Sequence, residues 1–390
     1  MTPQARLAAA AEILDLYLGG EPAEKVLTGW ARRSRFAGSG DRAAIRDHVF
    51  DAIRCRRSAA WLGGAETGRG LVIGSLRAEG RDPDSFLTGQ RHALVPLTDE
   101  ERLPAPPPPE AVALDVPDWL EAELRDSLGA EFGAVMRLMR KRAGLFLRVN
   151  TTRTDREAMR VALAEEGVIA EPHPLCETAL AVGAGERGLR NTAAYRDGLV
   201  ELQDVASQAV AAAVPLPPGA KVLDLCAGGG GKALALAARS GGEIHVHDAN
   251  SGRMTDLPAR AVRAGARLRV LDGTGPEAEA PFDVVVTDVP CSGSGAWRRQ
   301  PEAKWRLQPA GLDRILGLQR DILARAGGLV APGGCIAYMT CSMLRPENEA
   351  QVAAFLAARP GWRRERGERW SPLAGGDGFF LAILRRNKGE

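Results

Sequence analysis

The spacing of apolar residues divides the chain into stretches of different character. From residue 4 to residue 62 they recur at helical intervals, through Leu7, Ile13, Leu14 and Tyr17 and again through Ile45, Val49, Phe50 and Ile53. Gly19-Gly20 closes the first helix and Ser39-Gly40-Asp41 opens a later one, so helices are predicted to about residue 95. Leu103-Pro104-Ala105-Pro106-Pro107-Pro108-Pro109 then carries five prolines. Such a run lacks amide donors and has fixed φ angles, so it reads as a stiff linker over 103–110 that ends a helical domain of residues 1–102. Residues 111–203 read as a small α+β module. A helical stretch from Trp119 to Arg142 leads into a strand over Gly144–Asn150, a helix over Asp155–Glu166 and a short run at Leu199–Leu202.

After residue 204 strands alternate with helices. Strands are predicted at Lys221–Leu225, Glu243–His247, Arg267–Leu271, Phe282–Thr287, Cys335–Thr340 and Phe379–Leu384, with helices at Val205–Ala213, Lys232–Ala238, Leu312–Ala326 and Glu347–Ala357. This is the pattern of an α/β domain with a parallel sheet covered on both faces, over residues 204–390. Ligands in such folds sit at the carboxyl ends of the strands, where every motif below falls.

Composition narrows the function classes. The 390 residues are 45% hydrophobic and 26% charged, with a formal net charge of +2. Bulk charge therefore cannot hold the chain to nucleic acid, and a polyanion site must come from local clustering. No stretch approaches the ~20 apolar residues of a membrane span, and Met1–Ala11 has no signal-peptide pattern. The six cysteines form no C-x-x-C pair, which argues against a disulfide scaffold or a metal site and for a cytoplasmic protein with free thiols.

Five strand ends carry chemistry. Cys226-Ala227-Gly228-Gly229-Gly230-Gly231-Lys232 follows the first strand, a glycine loop that lets backbone approach a ligand. On its own it suits a dinucleotide dehydrogenase, a methyltransferase or a tight turn. Asp248 ends the second strand, placed for ribose hydroxyls, and Asp272 ends the third; either acid could instead serve a turn or a helix cap. The fourth strand ends in Asp288-Val289-Pro290-Cys291-Ser292-Gly293-Ser294-Gly295. Behind it Trp297, Arg298, Arg299, Lys304, Trp305 and Arg306 mix indoles with cations. That mixture suits stacking on bases and contact with phosphates, or else a solvated basic loop. The fifth strand ends in Tyr338-Met339-Thr340-Cys341-Ser342 before Pro346-Glu347-Asn348-Glu349 begins a helix. A helix N-terminus near Cys341 would favour a thiolate over the reference pKa of ~8.5. A single such cysteine is more often an inert core thiol, but here a second cysteine ends the neighbouring strand.

Taken together these motifs resemble the Sun-type RNA cytosine-5 methyltransferases, whose patterns run D-x-C-A-x-x-G-G-K, D-A-P-C-S-G-T-G, R-R-x-P-x-x-x-W and T-C-S followed by P-E-E-N-E. The likeness extends to Leu147-Arg148-Val149-Asn150, to Leu202-Gln203-Asp204-Val205-Ala206-Ser207-Gln208 and to Asp377-Gly378-Phe379-Phe380, and so covers roughly residues 115 to 385. The helical front, with Asp41-Arg42 and Arg54-Cys55-Arg56, is more loosely similar to the NusB-like domain of the bacterial small-subunit ribosomal RNA methyltransferase B group. Departures are small: Gly228-Gly229 for Ala-Pro, Ala233 and Ser294 for Thr, and Val289 for Ala. They bear on the subgroup and leave the reacting atoms in place.

The resemblance implies a Rossmann-like S-adenosylmethionine-dependent domain. Residues 226–232, Asp248, Arg253, Asp272 and Asp288 would hold the cofactor, and Arg148 would join the basic loop in binding RNA. It implies that Cys341 adds to C6 of a cytosine, that Asp288, its pKa raised by desolvation, protonates or hydrogen-bonds N3, and that Cys291 assists release. Ribosomal RNA is the expected substrate, with transfer RNA as the alternative, and a monomer is expected. Three rivals stand beside this reading: a DNA cytosine-5 methyltransferase, in which Cys291 would attack; a dehydrogenase, which gives the two cysteines no purpose; and an RNA-binding assembly factor without activity. Thr340-Cys341-Ser342 favours RNA over DNA.

Overall fold

Alternate residues of two neighbouring strands enter different cores, which shows how the larger sheet is built. In the computed structural model of the chain, described over residues 1–271 and 275–389, Val284 and Val286 join Cys335, Ala337 and Met339 on one face. Val285 joins Ile336 and Tyr338 on the other. All are essentially buried, as expected of strands covered on both faces.

Packing divides the chain into two units: residues 1–142 with 297–307, and residues 143–296 with 308–390. The first is helical. Helices Pro3–Leu18, Ala23–Arg33, Ser39–Arg54, Arg56–Gly63 and Gly68–Ala78 enclose a core that includes Leu7, Ile13, Leu14, Ile45, Val49, Ile53 and Leu71. Two further helices, Glu121–Leu128 and Phe132–Met139, belong to the same unit. The proline run lies within this unit. Trp61 donates its indole N–H to the Pro106 carbonyl at 2.8 Å. Buried Asp115, just beyond the run, accepts from the amide and hydroxyl of Ser58 at 2.9 and 2.8 Å and from Arg140 Nε at 2.8 Å. A carboxylate satisfied in this way fixes the segment that leaves the linker.

The second unit holds two sheets. Strands β1 (Leu145–Val149), β2 (Ile169–Pro172), β3 (Ala179–Ala184) and β4 (Val200–Leu202) form an antiparallel sheet in the order β2-β3-β1-β4. The larger sheet contains β5 (Val222–Asp224), β6 (Ile244–Val246), β7 (Leu268–Val270), β8 (Phe282–Asp288), β9 (Val330–Thr340), β10 (Trp362–Trp370) and β11 (Phe379–Arg386). Among the described residues its order is β10-β11-β9-β8-β5-β6-β7. The five strands from β9 to β7 are parallel, but β11 runs antiparallel to β9 and β10 antiparallel to β11. The parallel sheet expected from the strand–helix alternation is present, and two antiparallel strands, β11 and β10, extend its edge. The extra edge strand, Trp-Arg-Arg-Glu-Arg-Gly-Glu-Arg-Trp, has no apolar alternation because it lies at an exposed edge, where charge discourages further pairing.

Helices Val205–Ala212, Gly231–Ser240 and Leu257–Ala264 contribute to the core on one face, and Pro309–Leu329 and Glu349–Ala357 to that on the other. The chain leaves β5 toward β6 on one side and reaches β8 on the other. The switch point, where a crevice opens in such sheets, therefore lies between β5 and β8.

Candidate active site

Gly228 and Gly230 turn the chain out of β5 with φ of +50° and +79°, in the left-handed region. A Cβ on Gly230 would stand 2.0 Å from Leu257 Cδ1, so only glycine lets the loop close onto the Leu257–Ala264 helix. The loop has outside supports. Asp248 Oδ2 accepts the Gly228 amide at 2.9 Å and ion-pairs with Arg253 at 3.2 Å, while Oδ1 accepts the Asn250 amide at 2.9 Å. Arg148 is buried and donates to Gly231 O and to Gln203 Oε1, both at 2.7 Å. Burial draws its guanidinium down to about 10. The structure thus puts Arg148, expected on an RNA surface, beneath the loop as a brace. Asp248 likewise holds the loop and does not line the crevice.

A crevice of about 180 Å³ opens between this loop and β8. It is lined by Gln203, Ser207, Asp224, Cys226–Gly229, Gly231, Lys232, Arg253 and Asp288. Gln203, Ser207 and Asp224 were not among the expected site residues. Asp224 had a signal, since it ends its strand just as Asp248 and Asp288 do. Its side chain is fully buried and neither carboxylate oxygen has a well-formed hydrogen bond, although the nearby Cys226 backbone amide lowers its pKa somewhat. Burial, with the charge of Asp288 behind it, raises Asp224 to about 7. An unsatisfied buried carboxylate facing a crevice fits a ligand that brings a positive charge or a donor. Asp272 lies outside the described residues.

Two thiols stand at the ends of β8 and β9. Cys291 Sγ and Cys341 Sγ are 3.3 Å apart, so the structure brings together the two cysteines that the sequence singled out. Cys291 is pushed well above the ordinary thiol range by its hydrogen bond to Cys341, then by burial, with the charges of Cys341 and Glu347 adding to the effect. Lys232 reaches across from the glycine loop, and its Nζ lies 2.7 Å from Asp288 Oδ2. Burial lowers the Lys232 ammonium, but Asp288 and, less strongly, Cys341 and Asp224 raise it overall above its ordinary value. The charge beside Cys341 is this lysine, and only a single 3-10 turn, Arg345–Glu347, precedes the α-helix that begins at Glu349. Its cap residue, Asn348, spends its side chain on Thr340 and Ser342. The enclosure expected around Asp288 is also absent. About a third of its side chain is exposed, and the Lys232 ammonium compensates its charge. Cys226 is mostly buried and raised by that burial, and Cys335 is in the core.

The basic, indole-rich segment belongs to the helical unit, where most of it packs inward. Trp297 and Lys304 are each 1% exposed and Arg298 is 7% exposed. Lys304 Nζ donates to Arg54 O at 3.1 Å, Trp305 Nε1 to Ile53 O at 2.6 Å, and Arg54 Nε to Arg298 O at 2.9 Å. Burial lowers Lys304 to about 8. Arg298, Lys304 and Trp305 thus serve the packing of the unit, because long amphipathic side chains cover apolar surface as readily as they meet nucleic acid. Arg299 is half-buried. Arg306 is exposed and ion-pairs with Glu302 at 3.7 Å.

Comparison with known proteins places the chain in a family. Residues 212–385 match the family described as 16S rRNA methyltransferase RsmB/F, and residues 116–185 match the ferredoxin-like domain of RsmF/B-like methyltransferases. A Xylella fastidiosa protein named "Ribosomal RNA small subunit methyltransferase B" is 33% identical over 314 residues, covering 75% of this chain and 71% of its own. A Synechocystis protein named "Probable ribosomal RNA small subunit methyltransferase B" is 30% identical over 296 residues. There the match covers 69% of this chain and 66% of the relative, just under two thirds of its length. Among solved structures, that of PH0851 aligns with a TM-score of 0.79 at 24% identity over 99% of both chains, a likeness of fold.

Proposed function

The chain belongs to the RsmB/F family of S-adenosylmethionine-dependent ribosomal RNA methyltransferases, and on that premise we propose that it forms 5-methylcytosine in small-subunit ribosomal RNA with Cys341 as the nucleophile. The observation that carries this reading is the pair of thiols 3.3 Å apart at adjacent strand ends, beside the Lys232–Asp288 ion pair.

Carbon 5 of cytosine is a weak nucleophile until something adds to carbon 6. In this reading Cys341 Sγ forms that bond, and the displaced ring electrons are drawn toward N3. The Lys232–Asp288 pair hydrogen-bonds the N3 side and stabilises the charge that gathers there. Bound S-adenosylmethionine supplies an electrophilic methyl group on a sulfonium. Asp224, residues 227–229 and Arg253 line the crevice that would hold it, with Asp224 offering an unused carboxylate to its positive charge. Once carbon 5 carries the methyl group its proton passes to a base at the site as the carbon–sulfur bond breaks, returning the Cys341 thiolate. Cys291, next to that sulfur, serves this exit. A stacked base is out of reach, so the target is unpaired or turned out of its helix. Arg299 and Arg306 are the cations of the basic segment proposed to meet its phosphates.

The test is transfer of labelled methyl groups into purified small-subunit RNA, followed by bisulfite sequencing. Protection of a single cytosine is expected. Label that appears without bisulfite protection would contradict the carbon-5 assignment.

A further inference from the structure

Each of the two cysteines is followed by serine, Cys291-Ser292 and Cys341-Ser342, and both serine hydroxyls meet at one oxygen. That oxygen is Glu347 Oε2, which accepts from Ser292 Oγ and from Ser342 Oγ. The other oxygen, Oε1, accepts the Ser292 amide at 2.7 Å and Gln319 Nε2 at 3.0 Å. The same Gln319 nitrogen donates to Pro290 O at 3.0 Å, so the loop is held on both sides of Cys291. On the β9 side, Ser342 O accepts Asn348 Nδ2 at 2.9 Å and Cys341 O accepts the Gly295 amide at 2.9 Å. Glu347 itself is fully buried, and its backbone carbonyl accepts the Tyr338 hydroxyl at 2.6 Å. A carboxylate with four donors in a dry setting stiffens whatever the donors belong to.

We propose that Glu347 is a positioning residue for the methyl transfer: by gathering Ser292 and Ser342 on one carboxylate it locks the two cysteine loops together and sets the separation of the sulfurs. The inference rests on the roles proposed for Cys291 and Cys341. It also gives both serines a purpose, since each places the cysteine before it.

Glu347→Gln keeps the shape and replaces one oxygen with a donor. On either side that donor faces donors: the Ser292 amide and Gln319 on one, two hydroxyls on the other. The hydroxyls have little freedom to reverse, since Ser342 Oγ already accepts the Leu344 amide at 3.0 Å and Ser292 Oγ the Ser294 amide at 3.3 Å. The probe is diamide, which takes up two hydrogens as the two thiols close into a disulfide. In Glu347→Gln the rate of Cys291–Cys341 cross-linking, read by peptide mass spectrometry, should fall about tenfold. The kcat for RNA should fall by about 10²-fold, while KM for RNA and affinity for S-adenosylhomocysteine stay within about twofold of wild type. Ser292→Ala and Ser342→Ala each remove one arm and should give intermediate losses, and they carry the test if Glu347→Gln does not fold. A folded Glu347→Gln protein, or both serine variants, cross-linking at the wild-type rate would overturn the inference. If the cross-linking contrast holds but the wild-type protein makes no 5-methylcytosine, the positioning role stands and the proposed reaction falls.

Discussion

The two sides of the thiol pair are built to opposite rules. On the Glu347 side both carboxylate oxygens are taken, and Ser292, Ser294, Ser342 and Asn348 are hydrogen-bonded within the cluster, leaving among its side chains only the Gln319 Oε1 without a partner. On the Lys232 side a buried carboxylate, Asp224, has no partner, and Asp288 is partly open to solvent. A saturated network resists movement, whereas an unsatisfied one has favourable interactions still to make. One side is therefore built to hold the sulfurs in place and the other to receive ligands. It follows that two cysteines with the same neighbour in sequence meet different charges, a carboxylate near Cys291 and an ammonium near Cys341.

The sharpest way to break that contrast is to remove the ammonium. Lys232→Met should lower kcat by on the order of 10²–10³-fold, the usual loss when a preorganised charge is deleted from a reacting site. It should also slow alkylation of Cys341 by iodoacetamide at neutral pH and leave Cys291 little changed. Peptide mass spectrometry reads both sites, and a Cys341 that still alkylates at the wild-type rate would show that Lys232 does not govern it.

A smaller effect sharpens the receiving side. Asp224 releases its proton at about 7 in the folded chain, against an ordinary value of 3.8. Its charge, and with it the pull on a cationic ligand, therefore appears as pH rises through 7. Affinity for S-adenosylmethionine should rise about tenfold between pH 6 and pH 8, and Asp224→Asn should flatten that rise, as calorimetry across the range will show. The same shift has a stability sign. Because the folded state keeps a proton that the unfolded state loses near 4, this residue makes the ligand-free protein less stable as pH rises from about 4 to 7, and no further above that. Denaturant titrations of the asparagine variant should lack that component of the slope.

Much of the site was legible because strand ends can be read from a run of apolar residues, and chemistry placed there has few bland explanations. Asp288, Cys291, Lys232 and Cys341 were all found in this way. Glu347 is hard to single out because a glutamate ahead of a helix looks like an ordinary helix start; the four donors on its carboxylate come from Ser292 and Gln319, 55 and 28 positions away, and from Ser342 nearby. The sequence of Trp297–Leu307 leaves its role open for a different reason. Indoles and cations have the same composition whether they face RNA or cover a helical core, and only the partners, Ile53 and Arg54, decide between the two. The antiparallel β10 was invisible because an exposed edge strand needs no apolar alternation.

The central claim is that Cys341 attacks and Cys291 releases. It is tested most directly by incubating Cys291→Ala and Cys341→Ala, each with S-adenosylmethionine and radiolabelled small-subunit RNA, and resolving the products on a denaturing gel. The account predicts a slow-migrating protein–RNA band with Cys291→Ala, which attacks and methylates but cannot let go, and none with Cys341→Ala. A band with Cys341→Ala and none with Cys291→Ala would reverse the two roles and contradict the account.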